Sequence, residues 1–125
     1  MRPRESGDAA FLDDIREACA LIASRLRKKQ LPDFVSNTEL QDSIVLRLIV
    51  IGEACKNLSE NARKRYSDVQ WKDMARLRDL AVHHYWKIDV LKVWEIAQEN
   101  MPFLLSRLTK RETISSASVL CRNLK

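Results

Sequence analysis

The stretch that most constrains the fold is residues 40–58, where apolar side chains cover nearly the whole circumference of a predicted helix. Residues 44–51 contain a single charge, Arg47. Ser36 and Glu39 have the spacing of a capping box, which can begin this helix. A helix that is apolar on most sides needs neighbours to cover it. The stretch therefore predicts a central helix with other helices packed around it, and we expect Arg47 to reach the surface along its stem rather than enter a seam between two chains.

Apolar residues at spacings of three and four continue through most of the chain. They predict four further helical segments: about Ala9–Lys29, a short turn from Ser59, a segment through Trp71, and Val90–Leu108. The expected helix starts are Asp8, Asp68 or Ser67, and Asp89. Leu31-Pro32-Asp33 should stop the first helix, and Pro102 should kink the last one. With no strand pattern and no repeat, the sequence predicts an all-α, up-down bundle of four to five helices.

Composition narrows the class of protein. The 125 residues make one domain, and two Gly, three Pro and 46% hydrophobic residues suit a compact helical protein. No uncharged apolar stretch is long enough to cross a membrane, and no signal-peptide core follows Met1, so we expect a cytoplasmic protein with no membrane partner. Cys19, Cys55 and Cys121 lie far apart without metal-ligand spacing, which predicts core or bystander thiols and no metal site.

The net charge of +5 is mainly a property of the C-terminal end. Residues 107–125 contain five Lys or Arg side chains against the single Glu112. We therefore divide the chain into a helical domain over residues 1–108 and a basic, Ser-containing tail over residues 109–125 whose composition allows flexibility. Any contact between the body and RNA should come from local basic patches rather than from overall charge.

Both histidines of the chain lie in one stretch, residues 76–85, together with Arg78 and Tyr85. In a regular helix, a separation of five positions places Arg78 and His83 roughly 140° apart around the axis and about 7.5 Å apart along it. We expect the helix to fray or kink after Val82, so that both side chains could reach one phosphate. We also assign Arg78 to a different side of the helix from Trp71. Such groups at a helix end are more often solvated or capping groups than site residues.

A family resemblance favours the site interpretation. Arg78-Asp79, three further residues and then His83-His84-Tyr85 fit the pattern Arg, polar, any three, His, any, Tyr of the HEPN superfamily. The flanking motifs resemble the HepT toxins, the domain-of-unknown-function 86 branch, over roughly residues 9–108. These motifs are Ile51-Gly52-Glu53-Ala54-Cys55-Lys56-Asn57-Leu58-Ser59, Trp71 after Tyr66-Ser67-Asp68, Tyr85 to Asp89, and Val93-Trp94 before Met101-Pro102.

The resemblance implies a metal-independent endoribonuclease toxin of a type VII-like toxin–antitoxin pair, without a cofactor. Arg78 would hold the phosphate and His83 would act as acid or base. Asp79 would occupy a polar position that is often Asn, and His84 would be a reserve candidate. Tyr85 would accept AMP from an MntA-like nucleotidyltransferase antitoxin, although a partly buried structural ring is the other interpretation of this residue.

The chemistry of RNA cleavage adds a requirement. The 2′-hydroxyl is an internal nucleophile, so cleavage needs a base, an acid and positive charge on the phosphorane. One His and one Arg supply half of this set, and a homodimer with both copies facing one cleft would supply the whole. Two alternatives stay open: a non-catalytic HEPN helical module that binds a partner nucleotidyltransferase or a nucleotide, and a plain dimeric scaffold.

Overall fold

The computed structural model describes residues 7–83 and 89–108, and within these ranges all regular secondary structure is helical. Six α-helical segments carry labels in chain order: α1 Asp8–Leu26, α2 Leu31–Val35, α3 Thr38–Asn57, α4 Glu60–Arg65, α5 Trp71–His83 and α6 Val90–Glu95. A π-helical segment, Ile96–Asn100, continues α6, and residues 101–108 are again α-helical. The all-α prediction is confirmed. Within the described ranges, no helix has the length and apolarity needed to cross a bilayer.

Helix α3 is the centre of the packing, as its apolar run predicts. It contacts α1, α2, α5 and α6, and its contacts with α1 and α5 are the most extensive. Ile44, Leu48 and Ile51 are fully or almost fully buried, whereas Leu46 remains half exposed. The run is therefore covered on most sides but not all of them. Cys55 joins this core together with Cys19 of α1, and burial raises the pKa of both thiols to about 12. Cys121 lies outside the described residues.

Several predicted helix ends were wrong, because neighbouring polar residues compete for each cap. Asn37, not Ser36, caps α3 by accepting a hydrogen bond from the backbone N–H of Leu40. Leu31-Pro32-Asp33 does not simply end α1 but opens the short helix α2, whose Asp33 side chain accepts from the Gln30 N–H at 2.8 Å.

Two predicted caps instead connect distant parts of the chain. The Asp8 carboxylate lies inside α1 and accepts from both the N–H and the hydroxyl of Ser59, at 2.9 and 2.6 Å. These hydrogen bonds lower the pKa of Asp8. Asp68 pairs with Arg107 at 2.7 Å. Among the predicted starts, Asp89 does cap its helix, accepting from the Leu91 N–H at 3.0 Å.

The final helix is irregular where the sequence predicts a kink. Proline has no N–H, so Pro102 cannot donate to a carbonyl one turn earlier. The π-helical segment Ile96–Asn100 ends two residues before this proline and widens the helix there. Met101 and Leu104 nevertheless remain buried, at 1% and 2% exposure. The helix thus keeps its apolar face on the core despite the change in winding.

Candidate active site

Arg78 lies on the buried face of α5. Trp71, Met74, Arg78 and Ala81 follow one another at spacings of three and four, and the other three members of this series are buried. The prediction that Arg78 and Trp71 lie on different sides is therefore wrong, because seven residues bring a helix almost back to the same angle. The Trp71 indole N–H fixes the start of the helix by donating to two backbone carbonyls at 3.1 Å.

Gly52 of α3 makes this position of Arg78 possible. A β-carbon added to Gly52 would lie 2.2 Å from the Arg78 Cβ and 2.8 Å from the Met74 carbonyl oxygen. Both distances are shorter than contacts between real atoms, so only glycine lets α3 and α5 approach so closely here. Gly52 thus allows a close approach between two helices, and the residue approached is the candidate phosphate ligand.

Two carboxylates contact the Arg78 guanidinium. Its Nε lies 2.8 Å from Glu53 Oε1, an ion pair whose angle falls short of a directed hydrogen bond. Its Nη1 donates to Asp79 Oδ1 at 3.0 Å. The Arg78 side chain is 24% exposed, whereas those of Glu53 and Asp79 are about half exposed. These contacts hold the guanidinium in one orientation. The two half-exposed carboxylates compensate part of its positive charge. Because Glu53 belongs to α3, sequence spacing on α5 could not reveal this pairing.

Asp79 is tied to α3 rather than to the histidine. Lys56 Nζ donates to its Oδ1 at 3.1 Å, and Arg78 donates to the same oxygen. The hydrogen bonds from Lys56 and from Arg78 hold the pKa of Asp79 below its usual value. Among the described contacts of Asp79 none is with His83. An ionised Asp79 instead belongs to the ion-pair group around Arg78.

His83 is the last residue of α5 and its side chain is exposed. The predicted break after Val82 is wrong, because the helix continues through His83. The 140° separation of regular helix geometry therefore applies to Arg78 and His83 within one chain. The two side chains leave α5 in different directions. His84 and Tyr85, the reserve and modification candidates, lie outside the described residues.

A cleft of about 560 Å³ opens beside Arg78 between α1, α3 and α5. Arg47, Glu53 and Asn57 of α3 line it, as do Asp14 and Glu17 of α1. Arg47 is partly exposed and lines this cleft, so it belongs to the surroundings of Arg78. The signal for this was its isolation as the single charge in an apolar run. In the described part of the chain, no three His, Cys, Asp or Glu side chains come together as a possible metal-ligand set.

Comparison with known proteins identifies the family. The model of the family described as "Ribonuclease HepT-like" matches residues 15–110, which extend from α1 past the final helix and include every candidate site residue. This chain belongs to the HepT-like ribonuclease family. The resemblance inferred from the motifs around Arg78 and Gly52 is therefore confirmed.

Relatives of the HepT-like chain carry ribonuclease names. "Probable ribonuclease HepT" of Thermococcus cleftensis is 33% identical over 100 residues, covering 80% of this chain and 91% of that protein. A "Putative RNase" of Methanocaldococcus jannaschii is 39% identical over 93 residues, covering 74% and 77%. A "Gamma-glutamylcyclotransferase and putative RNase" of the same organism is 33% identical over 80% of this chain, which spans only 45% of that longer protein. No solved structure matches the chain.

Proposed function

We propose that this HepT-like protein is a metal-independent endoribonuclease whose active site forms at the interface of a homodimer. The observation that carries the proposal is the fixed guanidinium of Arg78, five residues before an exposed His83 on the same helix. An arginine keeps its charge at all relevant pH values and suits a phosphate, whereas a histidine can give or take a proton near neutral pH. Membership in a family of ribonucleases supports RNA as the substrate.

The divergence of Arg78 and His83 within one chain supports a shared site. A two-fold axis repeats any residue that lies near it, so two chains could present two histidines and two arginines to one cleft. The exposure of His83, and of the apolar side chains Leu80 (49%) and Val82 (43%) beside it, fits a surface that a second chain covers. His84 and Tyr85 follow directly in sequence, and we propose that they belong to the same dimer interface.

The proposed reaction uses the RNA's own nucleophile. One histidine removes the proton of the 2′-hydroxyl while the 2′-oxygen forms a bond to phosphorus. The bond from phosphorus to the 5′-oxygen breaks, and the second histidine protonates this leaving oxygen. The arginines stabilise the added negative charge of the phosphorane. The products are a 2′,3′-cyclic phosphate and a 5′-hydroxyl end. The RNA supplies the nucleophile, and His83 and Arg78 of both chains supply the base, the acid and the positive charge.

Toxicity and its control form the second half of the proposal. As in HepT/MntA pairs, the chain would be a toxin and a cognate nucleotidyltransferase would inactivate it by adding AMP to Tyr85. An AMP group adds bulk and negative charge two residues from His83, which would exclude RNA sterically and electrostatically. The resemblance of the Arg78–Tyr85 motif and the family membership support this regulation.

One observation favours the alternative, a non-catalytic HEPN module that binds a nucleotidyltransferase or nucleotide. Glu53 and Asp79 already compensate the charge of Arg78, and substrate phosphate must compete with them. A single assay separates the two functions: end-labelled RNA is incubated with purified protein in EDTA. The nuclease proposal predicts cleavage that survives the chelator and disappears in His83→Ala, while a Lys72→Ala variant on the exposed side of α5 cleaves normally. Intact RNA with the wild-type protein would leave the binding module as the function.

A further inference from the structure

Arg47 lines the same cleft as Arg78, and its environment is unusual for a charged side chain. It lies in the apolar stretch of α3 and is partly buried, with its Nε fully shielded from solvent. Within residues 7–83 and 89–108, this Nε has no hydrogen-bond partner. Each other arginine with a shielded Nε (Arg16, Arg63 and Arg78) is held elsewhere on its guanidinium.

Burial of a guanidinium nitrogen without a partner costs stability, so a native protein keeps such a residue where another group interacts with the guanidinium. Four features identify the missing partner as an anion that enters from outside. Arg47 lines an open cleft of about 560 Å³, Arg78 lines the same cleft, Asn57 adds an amide that donates one N–H to the Glu53 carbonyl and has a second one, and the protein belongs to a family of ribonucleases. We propose that Arg47 is a second phosphate-binding residue, which holds the RNA backbone next to the phosphate bound by Arg78. This inference rests on the function proposed above.

The placement of the two arginines suits this role. Arg47 of α3 and Arg78 of α5 line the same cleft from two different helices. Two guanidiniums on one cleft can hold different phosphates of one strand. The planar fork of arginine can also donate two parallel hydrogen bonds to a phosphate. Arg47 would thus be a positioning residue that sets the path of the strand, while Arg78 acts on the scissile phosphate.

The carboxylates in the cleft restrict how the strand can lie. Glu53 pairs with Arg78, and Asp14 and Glu17 lie on the α1 wall. Carboxylates repel phosphates but accept hydrogen bonds from hydroxyl and amino groups. The phosphates should therefore follow the wall of α3 and α5, with ribose hydroxyls and base amino groups turned toward α1. Such an arrangement favours RNA over DNA, because only RNA offers a 2′-hydroxyl donor.

The test is the salt dependence of RNA binding in a chain that cannot cleave. His83→Ala protein is titrated with labelled single-stranded oligoadenylate at several salt concentrations. Each phosphate contact contributes about 0.7 to the slope of log affinity against log salt. Adding Arg47→Gln should lower the slope by about 0.7, so that the loss of affinity between 50 and 200 mM salt becomes about 2.6-fold smaller. Arg76→Gln is the matched control, since Arg76 is 77% exposed and pairs locally with Asp73, and it should leave the slope unchanged.

Two further variants separate this role from a structural one. Arg47→Lys keeps the charge but loses the fork, so it should keep the slope and bind more weakly. Arg47→Met keeps the stem, and its melting temperature should be no lower than that of the wild-type protein because no internal partner is lost. An unchanged slope in Arg47→Gln, or a clearly lower melting temperature in Arg47→Met, would overturn the proposal.

Other outcomes also decide the matter. A shift in the monomer–dimer equilibrium at constant slope would instead assign Arg47 to a contact between two chains and overturn the proposal. Absence of measurable RNA binding would overturn it as well. Cleavage is scored separately with the chain that retains His83, so failure of the nuclease function and failure of the Arg47 contact give different results.

Discussion

Gly52→Ala tests the packing that positions Arg78. The new β-carbon would meet the Arg78 Cβ at 2.2 Å and the Met74 carbonyl oxygen at 2.8 Å, so α3 and α5 must move apart. Overpacking of this kind lowers the free energy of unfolding by about 1–3 kcal/mol. We expect a value near the upper end of this range because one clashing atom belongs to the backbone. The better helix propensity of alanine offsets about 1 kcal/mol. The expected net loss is about 2 kcal/mol of the free energy of unfolding.

Denaturant unfolding followed by circular dichroism measures this loss, and cleavage of labelled RNA measures its effect on Arg78. We expect activity per folded molecule to fall as well, since Arg78 moves with α5. A double-mutant cycle with Arg78→Gly supplies the control, because removing the Arg78 Cβ should recover part of the loss caused by Gly52→Ala. If Gly52→Ala is as stable as the wild-type protein or more stable, helix propensity alone accounts for it and the close approach of α3 to α5 is refuted.

Three other predictions concern the charges around Arg78 and the modification of Tyr85. Glu53→Gln releases the guanidinium from its ion pair, so RNA should bind more tightly while kcat falls about tenfold; equal kcat would contradict a positioning role. Hydrogen bonds from Lys56 and Arg78 lower the pKa of Asp79 from 3.8. Their stabilisation is therefore complete above that value and lost as pH falls through the folded-state pKa. Asp79→Asn should be less stable than wild type at neutral pH and equally stable in acid, and a difference that persists in acid would implicate another group. Tyr85→Phe should cleave RNA normally and keep its activity after incubation with the cognate nucleotidyltransferase and ATP; inactivation of this variant would place the modification elsewhere.

Helical periodicity was sufficient to predict the all-α fold and the central position of α3. Apolar spacing reports directly which side of a helix is buried, and Ile44, Leu48 and Ile51 follow it. The caps were harder to predict, since Ser36 and Asn37 are both good capping residues and only the path of the loop decides between them.

The surroundings of Arg78 could be predicted only in part. The spacing from Trp71 to Arg78 already indicates a shared face, but a charged residue is easily assigned to solvent. In the structure the aliphatic part of Arg78 packs against Gly52, while its guanidinium extends to the half-exposed carboxylate of Glu53. Glu53 and Arg47 were missed as site residues because periodicity shows the faces of one helix and not which faces meet. Their proximity to Arg78 depends on how far α3 and α5 are shifted along each other when they pack.

Mixed dimers test most directly whether two chains complete one active site. Wild-type and His83→Ala chains are unfolded together, refolded at varied ratios, and assayed for RNA cleavage in EDTA at constant total protein. If each cleft needs both histidines, only wild-type pairs cleave, and activity falls with the square of the wild-type fraction, to about one quarter at an equal mixture. Activity that falls in simple proportion, to about one half, would show that each chain carries a complete site and would contradict the shared cleft.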